Sequence, residues 1–205
     1  ALDYENPTDS GTDNAYTVKL IVKDENDYPI TKEITVNVMD AEENPYFDMS
    51  VFNYNYTENT DVNTEIVQMT ARDYDGDNIA FQVGGDDGSL FTLESQSSSS
   101  GVAVSKLKFL TSPDYDSPMD SDKNAIYKVT VKITDNSSNA LYSEQDFQIT
   151  VIDVDEAPVW NLSATSFNLD ENNYGDVLTS SQLIAQNPEN SILSISFDGG
   201  ADDSK

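Results

Sequence analysis

Apolar and polar residues alternate along this chain at a period of two. Tyr127, Val129, Val131 and Ile133 lie on one side of a segment whose other side carries Lys128, Thr130, Lys132 and Thr134. Such alternation is the signature of an extended strand with one buried face and one wet face. The same pattern, rich in Val, Ile, Thr and Tyr, predicts strands near 49–57, 64–72, 78–83, 89–94, 102–110, 125–134 and 144–152. Helical periodicity is nearly absent. Seven strands in roughly 110 residues predict an all-β fold, a seven-stranded Greek-key β-sandwich.

The pattern also repeats over a longer distance. Asp3-Tyr4-Glu5-Asn6-Pro7 returns 111 residues later as Asp114-Tyr115-Asp116-Ser117-Pro118. Tyr16, Val18, Leu20, Val22 and Asp24 return at the same offset as Tyr127, Val129, Val131, Ile133 and Asp135. At an offset of 113, DAEENP (Asp40 to Pro45) matches DVDEAP (Asp153 to Pro158), and Tyr56-Thr57-Glu58-Asn59 matches Leu169-Asp170-Glu171-Asn172. A fixed period marks a tandem architecture. The boundaries predicted are the C-terminal half of one unit at 1–45, a complete unit at 46–158, and the N-terminal part of a third at 159–205. The sequence reads as a slice of an array.

Composition narrows the chemistry. Acids outnumber bases 38 to 10 among 205 residues, for a net charge of −28, and there is no Cys or His. Disulfides, thiolate or imidazole metal sites and Ser-His or Cys-His nucleophiles are thereby removed. So negative a chain disfavours nucleic acid and anionic membrane surfaces as partners. No signal peptide or long apolar span appears, so direct membrane insertion is not expected. Disorder is disfavoured too, because the chain is 37% hydrophobic and those residues fall in clean alternating runs.

The acids gather at strand ends. Strand direction sorts them into two groups that meet where one unit is stacked on the next. The first junction should collect Asp3, Glu5, Asp40, Glu42, Glu43, Asp73, Asp75 and Asp135. The second should collect Glu58, Asp114, Asp116, Asp153, Asp155, Glu156, Asn187 and Glu189. Eight carboxylates around one linker repel unless cations fill the gaps. Several hard oxygen ligands per site suit Ca²⁺ better than Mg²⁺, which keeps its waters and a stricter octahedron. Asp120, Asp122 and Asn124 read as turn formers instead. Asp24 should belong to a junction with a further unit. Asp73-Tyr74-Asp75-Gly76-Asp77 is not an EF-hand loop, since Gly84 stands where its twelfth-position glutamate belongs.

These motifs resemble those of the cadherin-like repeat. LDYEN and PDYDS resemble its LDRE-type motif, ARDYD its Asp-x-Asp motif, and Glu58 in YTENT its early glutamate. DAEENP and DVDEAP resemble its Asp-x-Asn-Asp-Asn-x-Pro linker, although each is one residue shorter and lacks the Asn-Asp-Asn core. The resemblance implies Ca²⁺ held between consecutive domains and an extended extracellular rod, adhesive to cells or ligands. DYENPTDSGTDN and DVDEAP look more like repeats of large bacterial surface proteins, which implies a bacterial adhesin, stalk or filament. In the third unit AQNPE replaces ARDYD, which removes one charge and implies weaker Ca²⁺ binding at the second junction. The partners implied are neighbouring repeats of the same chain, then a cell-surface glycan or protein, or copies of the chain. Two alternatives stand beside this reading: a Ca²⁺-dependent carbohydrate-binding module, and a filament subunit that exchanges strands between chains. Trp160, aligned with Phe47, is expected to pack at the core or rim rather than to stack on sugar. Paired carboxylates also occur in hydrolases. Here the repeat copies the acids at every junction, which catalysis does not require, and the chain is read as non-enzymatic.

Overall fold

The computed structural model describes residues 2–95, 98–160, 185–189 and 192–195. Strands β1 (Ala15–Lys23) and β2 (Pro29–Asn37) pair as an antiparallel hairpin. The central sandwich follows. One sheet contains β3 (Tyr46–Phe47), β5 (Val67–Arg72), β8 (Val102–Phe109) and β7 (Phe91–Ser95), in that spatial order. The other contains β4 (Asn53–Thr57), β10 (Tyr142–Ile152), β9 (Ile126–Asp135) and β6 (Ile79–Gly84). Beyond it, β11 (Val159–Trp160) pairs with β12 (Ala185–Gln186), as β3 pairs with the end of β5. The expected matches at Leu169 to Asn172 lie outside the described residues.

The alternating pattern dictates the core. On β9 Tyr127, Val129, Val131 and Ile133 are buried, and on β10 Phe147, Ile149 and Val151. Met69, Leu107, Phe109 and Phe91 meet them from the facing sheet. Burying each such side chain contributes roughly 1.5–3 kcal/mol. Phe109 anchors the aromatic part, with Phe91 at 4.5 Å and Tyr127 edge-on at 5.1 Å between ring centroids.

One predicted strand is shorter than expected. Of the element expected at 49–57 only β4 is strand, because the chain crosses from the sheet of β3 to that of β10 just before it. The Asp48 N–H still donates to the Thr70 carbonyl at 2.9 Å, whereas the Phe52 carbonyl accepts from Gln148 N–H at 2.9 Å. Met49 and Phe52 turn onto the core during the crossing. Alternation alone cannot show such a switch, since both halves keep an inward face. After it, β4 runs parallel to β10, from Asn53 opposite Gln148 to Thr57 opposite Ile152.

The loops repeat as faithfully as the strands. Asp9 accepts N–H bonds from Gly11, Asp13 and Asn14; Asp120, fully buried, accepts them from Asn124 and Ala125. Each clamp stabilises two left-handed residues at matching places, Thr12 (φ 52°) and Asn14 (φ 63°) against Lys123 (φ 58°) and Ala125 (φ 60°). The Tyr16 hydroxyl accepts the Thr8 N–H at 3.1 Å, and Tyr127 accepts that of Met119 at 3.2 Å. The turn reading of Asp120, Asp122 and Asn124 agrees with this: Asp122 pairs with Lys128, and Asn124 Oδ1 accepts the Ile126 N–H. Asp24 closes the β1–β2 turn through the Asn26 and Tyr28 N–H groups. Trp160 is 54% exposed, whereas Phe47, its counterpart on the equally short β3, packs against the central core; residues 161–184, which follow Trp160, lie outside the described ones.

Candidate metal centres at the two junctions

The first junction is built where the linker 40–45 meets the end of β5. Pro45 is buried and its carbonyl accepts the Ser143 hydroxyl at 2.6 Å, which fixes the linker's exit. The Glu43 N–H donates to Asp75 Oδ2 at 2.9 Å and docks the linker on the ARDYD turn. Beside that bond, Glu5, Asp40, Glu43 and Asp75 each bring a carboxylate oxygen within 4.8 Å of the others. Asp73 and Asp135 lie deeper, 8% and 6% exposed. One oxygen of each is fixed, Asp73 Oδ1 by the Asp77 N–H and Asp135 Oδ1 by the N–H and hydroxyl of Ser137. The other oxygen of each, with Glu43 Oε2, is shielded from water and meets no donor. Bare, buried carboxylate oxygens are costly unless a cation or donor compensates them.

Gly101 makes the deep position possible. Its carbonyl accepts the Asp73 N–H at 2.8 Å, its φ is +70°, and a Cβ there would lie 2.5 Å from the Asp73 carbonyl oxygen. Only glycine lets the two backbones approach so closely.

At the second junction Glu58 is the centrepiece. It is 2% exposed at the end of β4. Its Oε2 accepts the Tyr115 N–H at 2.6 Å and its Oε1 the Val154 N–H at 2.7 Å. One side chain thus ties strand, PDYDS loop and linker together. Glu58, Asp116 and Glu156 form one compact group of carboxylate oxygens, and Asp116, Asp153 and Glu189 form another. Asn59 Nδ2 donates to Glu156, and the Glu156 N–H donates to Glu189 Oε1 at 2.5 Å. Glu189 Oε2 is shielded and meets no donor. Asp114, Asp116 and Asn187 line a common cleft of about 570 Å³.

Some expected residues stand apart from these groups. Asp3 and Asp114 each give an oxygen to a turn, accepting the Asn6 and Ser117 N–H groups at 3.0 and 2.8 Å. Glu42 and Asp155 lie beside the junctions and join none of the compact groups among the described residues. Sequence reasoning missed the stack of Tyr46 on Tyr74, 4.9 Å between centroids, which braces the linker's exit against the ARDYD turn. It also missed Asn59. The signal for Tyr74 was its place between two predicted ligands.

Electrostatics mark both places. Partial desolvation raises Asp73 above its ordinary value, with repulsion from Asp75, Asp135 and Asp77 adding to it. Glu43 is raised by desolvation and then by Glu5, Asp75, Asp40 and Asp3; Glu42 is raised by desolvation and then by Asp75, Asp77 and Asp135. At the second junction desolvation followed by like charge raises Asp116, Asp153 and Glu156. Glu189 is lowered, chiefly by the Glu156 N–H. Carboxyl groups pushed upward by one another are groups that a divalent cation would relieve.

The sandwich is cadherin-like in fold. Human protocadherin Fat 4 is 28% identical over 199 residues, 92% of this chain, and the chain spans 4% of that protein's length. Mouse cadherin-17 is 24% identical over 149 residues, 68% of the chain and 16% of the relative. Among solved structures, extracellular cadherin domains 3–6 of protocadherin gamma B2 align with a TM-score of 0.53 and 25% identity, covering 91% of this chain and 41% of that one. No protein-family model matches the chain.

Proposed function

We propose that this segment is a run of tandem cadherin-like repeats whose junctions bind Ca²⁺ and so stiffen an extracellular adhesive rod. The segment is extracellular, as are the cadherin domains of protocadherin gamma B2 that it resembles. Its divisions are those of the repeat, 1–45, 46–158 and 159–205. The observation that carries the reading is the set of buried, donorless oxygens of Asp73, Asp135 and Glu43, all at one linker. The ligands proposed for the first junction are Asp3, Glu5, Asp40, Glu42, Glu43, Asp73, Asp75 and Asp135. For the second they are Glu58, Asp114, Asp116, Asp153, Asp155, Glu156, Asn187 and Glu189.

The role is mechanical rather than catalytic. Without the cation, like charges drive the linker away from both units. With it, the cation bridges oxygens of linker and sandwich and holds them in line. Extracellular modules bind Ca²⁺ at about 10⁻⁴–10⁻³ M. The partners are the neighbouring repeats, and beyond them a copy of the chain or a surface glycan or protein. The relatives named above are animal proteins, which lends the bacterial expectation no support. Small-angle scattering of the multi-repeat protein with and without chelator tests the reading. Removing Ca²⁺ should shorten and loosen the particle, and an unchanged maximum dimension would sink it.

A further inference from the structure

The two junctions share a plan and differ in the residues around it. The Glu43 N–H docks on Asp75 and the Glu156 N–H docks on Glu189, equivalent bonds between linker and incoming unit. The short pairs β3–β5 and β11–β12 match residue for residue. Around this common frame the second junction has lost three supports. Where the buried carboxylate of Asp73 stands in the first, one of its oxygens donorless, the neutral carboxamide of Asn187 stands in the second. Where Tyr46 stacks on Tyr74, the second has Val159 and Pro188, which cannot stack as two rings do. Where Arg72 pairs with Asp48 at 2.5 Å, the second has Gln186 and Asn161, which carry no charge.

We propose that the second junction, at linker 153–158, is the weaker cation site, filling last and releasing first as Ca²⁺ falls. The inference rests on the Ca²⁺ reading above and adds an order of release to it. Ligand charge count tunes Ca²⁺ affinity, and the loss of one buried carboxylate is expected to separate the midpoints by about tenfold. At intermediate Ca²⁺ the array is then held at linker 40–45 and free at 153–158.

The Glu43 and Glu156 amides are matched reporters, one in each junction. Their ¹H–¹⁵N signals would be followed in the full chain while Ca²⁺ is added to chelated protein, in wild type, Asn187→Asp and Asp73→Asn. The Glu43 midpoint should lie about tenfold below that of Glu156. Asn187→Asp should pull the Glu156 midpoint down, and Asp73→Asn should push the Glu43 midpoint up. Coincident midpoints, a reversed order, or a Glu156 midpoint unmoved by Asn187→Asp would overturn the inference while leaving Ca²⁺ binding intact. Silence of both amides up to about 10 mM Ca²⁺, well above the usual extracellular range, would overturn the underlying reading itself.

Discussion

Replacing Glu58 by Gln changes charge without changing shape, at the residue that joins strand, loop and linker. The carboxylate accepts two N–H bonds, at 2.6 and 2.7 Å, while 2% exposed. The glutamine oxygen can keep one of them as a neutral bond, but its NH₂ must face the other N–H. Losing a charge-assisted bond costs about 1.5–3 kcal/mol. Charge removal also relieves Asp116, Asp153 and Glu156, each of which feels Glu58. In chelator the lower end of that range is therefore expected. With Ca²⁺ present, every tenfold fall in affinity removes a further ~1.4 kcal/mol of ligand stabilisation. Urea unfolding with and without Ca²⁺ measures both values. Asp120→Asn serves as the control, because Asp120 is equally buried but clamps a loop, and its loss should match in the two conditions. Equal losses for Glu58→Gln with and without Ca²⁺ would refute the argument and leave Glu58 as a structural clip.

Two further outcomes follow from the same charges and contacts. Asp73, Glu42, Glu43, Asp116, Asp153 and Glu156 are held above their ordinary values in the cation-free protein. Folding then favours their protonated forms, so their contribution to stability is whole below about pH 4 and is lost as pH rises through the raised values. The cation-free Tm should fall as pH rises from about 4 through the raised values, whereas the Ca²⁺-bound Tm should rise as protons stop competing; a chelated Tm that climbs there would contradict the desolvation and like-charge repulsion. Gly101→Ala places a Cβ 2.5 Å from the Asp73 carbonyl oxygen at φ +70° and should cost more than about 1 kcal/mol in urea unfolding. Calorimetry on that variant should show weaker Ca²⁺ binding at the first junction with the second unchanged.

The strands were legible because burial of one face writes a two-residue period into the sequence, as in Tyr127 to Ile133. The change of sheets between Asp48 and Phe52 was not. Met49 and Phe52 remain apolar whichever sheet the strand serves, so pattern carries no record of the crossing. The acids that meet at each linker were recognisable from their order at strand ends, and Glu43 and Asp75 do come together. Their division of labour was hidden. Asp3 shapes a turn while Glu5, two residues later, joins a cluster, and only backbone geometry separates those fates.

The parallel pairing of β4 with β10 also sets how a pull on the chain is borne. After the two-residue β3, β4 is the first longer strand of the central unit and β10 is its last, so a pull on the two ends of the unit loads this pair in opposite senses. Their hydrogen bonds, evenly spaced and slanted as in any parallel pair, all join one loaded strand to the other. The whole ladder from Asn53–Gln148 to Thr57–Ile152 must therefore slip together, in shear, instead of opening one rung at a time.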